Sequence, residues 1–398
     1  MRSVAPADVA KPDVALRSAE GAPRLSILVN RDWFFLSHFL DRAVLARKSG
    51  YEVVVICEAT GREQEISAAG LVHVPLRIDR QNASPWALLN CFHRLKIIYK
   101  ESWPSVVWHI GLVSIVIGTA AAWLNGIRSI VNAPVGMGWT FASGGWKAAL
   151  LRPFLRIALK IVLNPRGSKV VFENADDWHD MIALRAARPG DAVVIRGAGV
   201  DVGRYKSVPA LPGVPIVLFA ARLIWEKGVR EFVEAARLLR QRGVVARFQI
   251  AGGIDHESAS AVPQSALDGW VSDGIVEWLG RRDDMPEVLG ACHVFCLPTW
   301  YREGLPKVIL EAMACGRPVV TTDMPGCREA VRQMDNGVLV APKNIPALAD
   351  AISLLLSDAT LRARMGARGR ERAETEFSSE RVCRETLAVF DQLARRPS

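Results

Sequence analysis

Between Glu101 and Glu173 the sequence has no acidic residue, while Arg128, Lys147, Arg152, Arg156, Lys160, Arg166 and Lys169 fall inside that interval. The imbalance is regional: residues 24–206 hold 23 Lys plus Arg against 14 Asp plus Glu, which accounts for the whole net charge of +9. An anionic partner or surface is implied on that half. Cysteine is sparse and unordered. Cys57, Cys91, Cys292, Cys296, Cys315, Cys327 and Cys383 are odd in number and sit mostly in apolar runs such as HVFCLP, which excludes a disulfide framework and suits a reducing compartment. No second Cys or His pair accompanies Cys292 and Cys296, so no metal site is expected. Residues 1–23 have no apolar core of signal-peptide length and are expected to form a disordered tail. A dinucleotide fingerprint is also missing. GAGVDVG (197–203) has its third glycine one position late, and GMG (136–138) lacks a third, so nicotinamide and flavin chemistry are set aside.

One long uncharged run exists, 23 residues from Ser105 to Ile127, and its length alone would span a bilayer. It begins SVVWHI, a fully apolar pattern that suits a buried parallel strand, then turns at Gly111 into LVSIVIGTAAAWL, which suits a helix covering a sheet. A strand and a helix are expected there.

A length of 398 residues exceeds one ordinary core and suits two domains. Short β-branched runs (LSILVN, EVVVIC, VVWHI, SIVNA, KVVFE, VVIRG) alternate with segments of helical length. After the Pro-rich stretch SVPALPGVP (207–215) the alternation restarts with IVLFAA, RFQIAG, IVEWLG, HVFCLP and PVVTT. That pattern predicts βαβ units and parallel sheets. The expected α/β organisation is a tail (1–23), a first Rossmann-like domain (24–208) and a second (209–377), with a ligand cleft between the two. A last helix (378–394) is expected to return to the first domain.

The most specific segment is YREGLPKVILEAMACGRPVVTTDMPGCREAV (301–331). Pro306 suits a first helical turn and Gly316 a helix exit, so a helix is expected from about Leu305 to Ala314. Its N-terminal amides would cradle a diphosphate just after Gly304, Leu305 and Pro306. Glu303 and Glu311 lie eight residues apart. Helical rise would separate them by about 12 Å, beyond the roughly 5–9.5 Å that glycosidase carboxylates need; one acid could hold a sugar and the other a ribose. Glu311 stands amid Val308, Ile309, Leu310, Ala312 and Met313, where a carboxylate needs a partner. His109 near the end of VVWHI stands at a sheet edge that suits a ligand, with a satisfied core histidine as the alternative.

This run resembles the E-x7-E signature of the retaining glycosyltransferases of family four, which have the GT-B fold. FAARLIWEKGVREFVEAARLL resembles the family's R-L-x-x-x-K-G segment and GVDVGRYK its G-V-D-x-x-x-F/Y segment. The resemblance implies two Rossmann-like domains facing each other across a deep cleft, donor diphosphate held by Arg222 and Lys227, and Glu303 with His109 at the transferring centre. It implies a hexose or N-acetylhexosamine moved from a nucleoside diphosphate sugar, UDP-linked by preference, with no cofactor beyond that co-substrate. VNRDWFFLSHFLDRAVLARKSGYEVVVI is similar to members that build polysaccharides or O-antigens on polyprenyl diphosphate carriers, although WFFLS (33–37) replaces the family's glycine-pair loop. His38 in that loop is a candidate on the acceptor side. Physical chemistry agrees about the cations, since departure of a diphosphate develops negative charge that Arg222 and Lys227 would stabilise without a metal.

Within WKAALLRPFLRIALKIVL (146–163), Arg152, Arg156 and Lys160 recur at four-residue spacing. They form either a solvated basic stripe or a helix that docks anionic lipid near a lipid-linked acceptor. The expected anionic partner is thus the inner face of a membrane and not a nucleic acid, with peripheral attachment from the cytoplasm. Two other readings stay open: a different GT-B reaction such as nucleotide-sugar epimerisation, and a non-catalytic sugar-nucleotide-binding subunit.

Overall fold

The computed structural model describes residues 21–78, 85–135, 157, 159–209, 211–256 and 258–395. Strands β1 (Arg24–Arg31), β2 (Glu52–Glu58), β3 (Val72–Pro75), β4 (Val106–Ile110), β5 (Ile130–Ala133), β6 (Lys169–Phe172) and β7 (Ala192–Val194) form one sheet in the order β3-β2-β1-β4-β5-β6-β7. Pairing along β3-β2-β1-β4-β5-β6 is parallel. The apolar runs of β1, β2 and β4 are buried throughout their centres, because helices cover both faces of a parallel sheet. Those helices include α1 (Asp32–His38), α2 (Leu40–Lys48), α3 (Glu63–Ala68), α4 (Pro85–Ser102), α5 (Leu112–Leu124) and α6 (Ala175–Ala183).

The long uncharged run resolves as β4, a turn at Gly111 with φ +87°, and α5. Among the described residues no helix is long and apolar enough to cross a membrane.

The second sheet holds β8 (Ile216–Ala220), β9 (Arg247–Ala251), β10 (Glu277–Trp278), β11 (Val294–Leu297), β12 (Val319–Thr322) and β13 (Gly337–Val340), in the order β10-β9-β8-β11-β12-β13. All its pairs are parallel. Its helices are α7 (Val229–Gln241), α8 (Gln264–Ser272), α9 (Met285–Ala291), α10 (Lys307–Ala314), α11 (Pro325–Ala330), α12 (Ile345–Ser357) and α13 (Ala359–Thr375); α14 (Ser379–Ala394) ends the chain. In both sheets the first strand lies beside the fourth, and the direction of winding reverses between them. That reversal is where open α/β sheets place ligands, beyond the carboxyl ends of the strands.

The chain divides into two compact units. One takes the described residues up to Ala133, those of Ile161–Val170 and those from Leu387 on; the other takes the described residues of Pro134–Lys160 and Val171–Thr386. The last turns of α14 belong to the first unit, where Asp391 accepts a 2.8 Å hydrogen bond from the Tyr51 hydroxyl and Phe390 packs edge-on to Trp108 at 5.2 Å. The α/β class and its two Rossmann-like halves agree with the alternation of strand and helix patterns in the sequence.

Candidate active site

The switch point of the second sheet lies between β8 and β11, and the segments leaving those two strands are stitched together. After β8 the chain makes a tight 3-10 turn at Trp225–Lys227. The Glu226 carbonyl accepts from Thr299 Oγ1 (3.0 Å), Trp300 N (3.0 Å) and Tyr301 N (3.2 Å), all just beyond β11. Gly228 closes the turn at φ +82°, and a Cβ there would stand 2.1 Å from the Pro298 carbonyl oxygen. Only glycine satisfies both conditions.

This arrangement delivers Lys227 to Glu303. The ammonium Nζ lies 2.5 Å from Glu303 Oε2, and the side chains are only 12% and 16% exposed. The other carboxylate oxygen, Glu303 Oε1, is buried and has no hydrogen-bond partner among the described residues. A buried carboxylate with one oxygen unsatisfied is costly in the resting fold.

The loop that carries Glu303 is held on three sides within the second unit. Arg302 pairs with Asp177 at 2.6 Å and also with Asp180 on α6. Asn174, whose side chain caps α6 by accepting from Asp177 N, donates through Nδ2 to the Gly304 carbonyl at 2.7 Å. A Cβ on Gly304 would fall 1.7 Å from Glu173 Oε2, and one on Gly326 would meet the Gly304 and Glu303 carbonyls at 2.4 and 2.9 Å. Leu305 is buried against Gly197, and Pro306, at φ −64° and ψ 109°, caps α10. The helix therefore begins at Lys307, two residues later than expected, because Leu305 is committed to the core and Pro306 stays extended.

Glu311 lies a full turn inside α10. Its neighbours are Lys307, 3.9 Å away on the same helix face, and the Tyr205 hydroxyl, which donates to it. Burial raises the Glu311 pKa, opposed by Lys307 and the tyrosine hydrogen bond. Burial and the Glu311 charge push Tyr205 upward as well, so its proton stays on the phenol and serves as donor. Arg222 is exposed and paired with Asp255 at 2.6 Å. A cavity of about 380 Å³ adjoins the same segments, lined by Trp225, Arg230, Glu231, Trp300 and Lys343.

Of the remaining candidates, His38 and His109 belong to the first unit. His109 is fully buried in β4, with Nδ1 2.8 Å from Asn132 Oδ1 and Nε2 3.1 Å from the Tyr99 hydroxyl. Its ring also packs on Gly118, where a Cβ would come within 2.5 Å. Burial lowers its pKa to about 4, so the imidazole is neutral. The strand's alternation turns this side chain into the core, and its environment is that of a satisfied core histidine. His38, in the last turn of α1, sits 2.6 Å from the Ser37 hydroxyl and against the Phe34 ring. Lys160 is exposed, and Arg152 and Arg156 lie outside the described residues. Among the described residues no three His, Cys, Asp or Glu side chains group as a metal would require.

Sequence reasoning missed the groups that hold this site: Tyr205, Asp255, Arg302 and the Glu173–Asn174 pair. Tyr205 stood within GVDVGRYK, Arg302 within the 301–331 segment and Glu173 at the end of KVVFE, but none of them was given a role there.

Comparison with known proteins identifies the architecture. Residues 24–174 match the family described as glycosyl transferase 4-like, and residues 214–358 match glycosyl transferases group 1. The chain is 28% identical over 357 residues, covering 86% of itself and 92% of the relative, to an N,N'-diacetylbacillosaminyl-diphospho-undecaprenol alpha-1,3-N-acetylgalactosaminyltransferase of Campylobacter jejuni. Among solved structures, the sucrose-phosphate synthase of Thermosynechococcus elongatus superposes with a TM-score of 0.78 at 19% identity, covering 93% of this chain and 99% of that one. Anabaena HepE, solved in complex with UDP-glucose, does so at 0.74 and 17%, with the same coverage. This chain belongs to the family four (group 1) glycosyltransferases of the GT-B fold.

Proposed function

We propose that the protein is a retaining transferase that moves a hexose or N-acetylhexosamine from a UDP-sugar to a lipid-linked saccharide, in polysaccharide or lipopolysaccharide assembly at the cytoplasmic face of a membrane. The observation that carries this reading is the Lys227–Glu303 pair at the β8/β11 switch point, with Glu303 Oε1 buried and unpartnered among the described residues. In the reading, sugar hydroxyls donate to Glu303 Oε1, while Lys227 and Arg222 meet the diphosphate and stabilise the charge that grows as the glycosidic oxygen departs. Both cations are ion-paired within the protein, so the diphosphate competes with Asp255 and Glu303 for them. The backbone at Gly304–Pro306 leads the amide end of α10 to the same phosphates, and Glu311, oriented by Tyr205 and Lys307, accepts from the ribose. With protein cations in this role, the step runs without a divalent ion. The names of the Campylobacter relative and of the UDP-glucose complex support the lipid-linked acceptor and the UDP donor.

The test is incubation with UDP- and GDP-sugars and a polyprenyl-diphosphate-linked saccharide, in EDTA, following nucleotide release and the anomeric configuration of any new glycoside. A new α-glycoside formed from an α-linked donor with stoichiometric UDP is expected. An epimerised nucleotide sugar without glycoside, an inverted product, or dependence on added metal would each overturn the corresponding part.

A further inference from the structure

Helix α4 is apolar on two opposite faces. Cys91, Leu95, Ile98 and Tyr99 are buried in the core, which a helix of period 3.6 explains. On the other side Trp86, Leu89 and Ile97 are 79%, 44% and 54% exposed, and Trp103, just past the helix, is 69% exposed. Projected at 100° per residue, Trp86, Leu89, His93, Ile97 and Lys100 fall within an arc of about 80° pointing directly away from the buried row. Trp103 holds φ +41°, a strained conformation for a bulky side chain that presents its indole to solvent. The end of α5 extends the same surface. Asn125 Nδ2 donates to the Lys96 carbonyl at 3.0 Å, which sets exposed Leu124 beside the middle of α4.

Charge identifies what this surface fits. Lys96 and Lys100 on α4 and Arg128 beyond α5 are exposed and form no ion pair among the described residues, and Glu101 is the only acid in the helix. A row of Trp, Leu and Ile with lysines interleaved, and an indole near each end, matches an interfacial helix. Indoles settle at headgroup depth, and lysine stems lie along apolar surface with their charges outward. A second copy of the chain fits poorly, because a two-fold contact would set these cations against themselves.

We propose that the outer face of α4, with Trp103 and Leu124, docks on an anionic lipid bilayer. The choice of bilayer over protein rests partly on the lipid-linked acceptor proposed above. The 152–160 stripe has no part in this proposal; Arg152 and Arg156 lie outside the described residues.

The experiment is flotation of the full chain with phosphatidylcholine vesicles, with and without phosphatidylglycerol, alongside UDP binding followed by thermal shift. The parent is expected to float with anionic vesicles and weakly with neutral ones. Each lysine near an anionic surface is worth about fivefold in partitioning, about 1 kcal/mol, so Lys96→Gln with Lys100→Gln should weaken anionic binding roughly 25-fold. Trp86→Ser, Leu89→Ser and Ile97→Ser together should lower binding by tenfold or more, with UDP binding unchanged because these side chains are exposed. Parent-like flotation of the triple variant, equal flotation with both vesicle types, or a parent dimer that the triple variant dissolves would overturn the proposal. If vesicles bind as expected but no nucleotide does, the docking face stands and the proposed reaction falls.

Discussion

Replacing Lys227 by Met separates what the ammonium does for the fold from what it does for the reaction. The change strands Glu303, whose Oε2 loses its 2.5 Å partner while Oε1 has none among the described residues. Breaking a fully buried ion pair costs about 3–5 kcal/mol and a surface pair under about 1. With the two side chains 12% and 16% exposed, a loss of about 2–3 kcal/mol is expected. Adding Glu303→Gln removes the stranded charge, so the double variant should regain most of that stability and show a coupling of about 2–3 kcal/mol. Turnover behaves differently, since losing a charge-stabilising donor costs on the order of a hundredfold or more, and the second substitution takes the negative charge from the sugar's acceptor as well. Urea denaturation and initial rates of nucleotide release across the four proteins give both quantities. Additive stabilities, or turnover restored in the double variant, would refute the assignment of this pair to the donor.

Other outcomes follow from the same geometry. Glu311→Gln should weaken binding of plain UDP while Glu303→Gln largely spares it, as isothermal titration would read; equal losses would end the division between ribose and sugar. Gly304→Ala puts a methyl 1.7 Å from Glu173 Oε2, so the Glu173 side chain or the 303–306 loop must shift, and activity should fall with only a modest drop in melting temperature. His109 is held neutral with a pKa near 4 against 6.5 for the free side chain. The unfolded chain thus takes up the proton first, and stability is intact above pH 6.5 and declines as pH falls toward 4, by at most about 3 kcal/mol. His109→Gln should flatten that part of the stability profile measured by urea denaturation.

The sheets were legible because parallel strands buried on both faces are written as uninterrupted apolar runs. IVLFA, VFCL and VVWHI all read directly as β8, β11 and β4. Gly228, Glu303 and Gly304 were legible in part because motif spacing reflects local backbone needs: a left-handed turn, a loop exit and a tight approach. What motif spacing does not encode is the partner reached through the fold. Asn174 is 130 residues from the carbonyl it fixes, and Asp255 is 33 residues from Arg222. His109 was ambiguous for a different reason. In a strand apolar on both sides, period-2 alternation loses its polar marker, so the sequence alone does not tell which face a lone histidine takes.

The mechanical logic of the site lies in how few degrees of freedom Glu303 retains. Three carbonyl contacts fasten the Lys227 turn to the strand beside it, and Asn174, Asp177 and Gly326 hold the chain on either side of the carboxylate. A carboxylate held this way has its conformational cost met during folding, so donor binding need not order it. The same holding explains how the unsatisfied Oε1 persists. The loop cannot swing that oxygen toward water without breaking contacts to α6 and α11, so the fold carries one unfavourable buried acceptor at the place where the proposed sugar would donate to it. Relief of that penalty on binding would favour donors with a hydroxyl at the contacting position over deoxy analogues. The expected preference is about five- to 150-fold, since leaving a buried acceptor unpaired costs about 1–3 kcal/mol. Competition between a UDP-sugar and its deoxy counterpart, once the donor is identified, measures that ratio; equal use of the two would mean that Oε1 never meets the sugar.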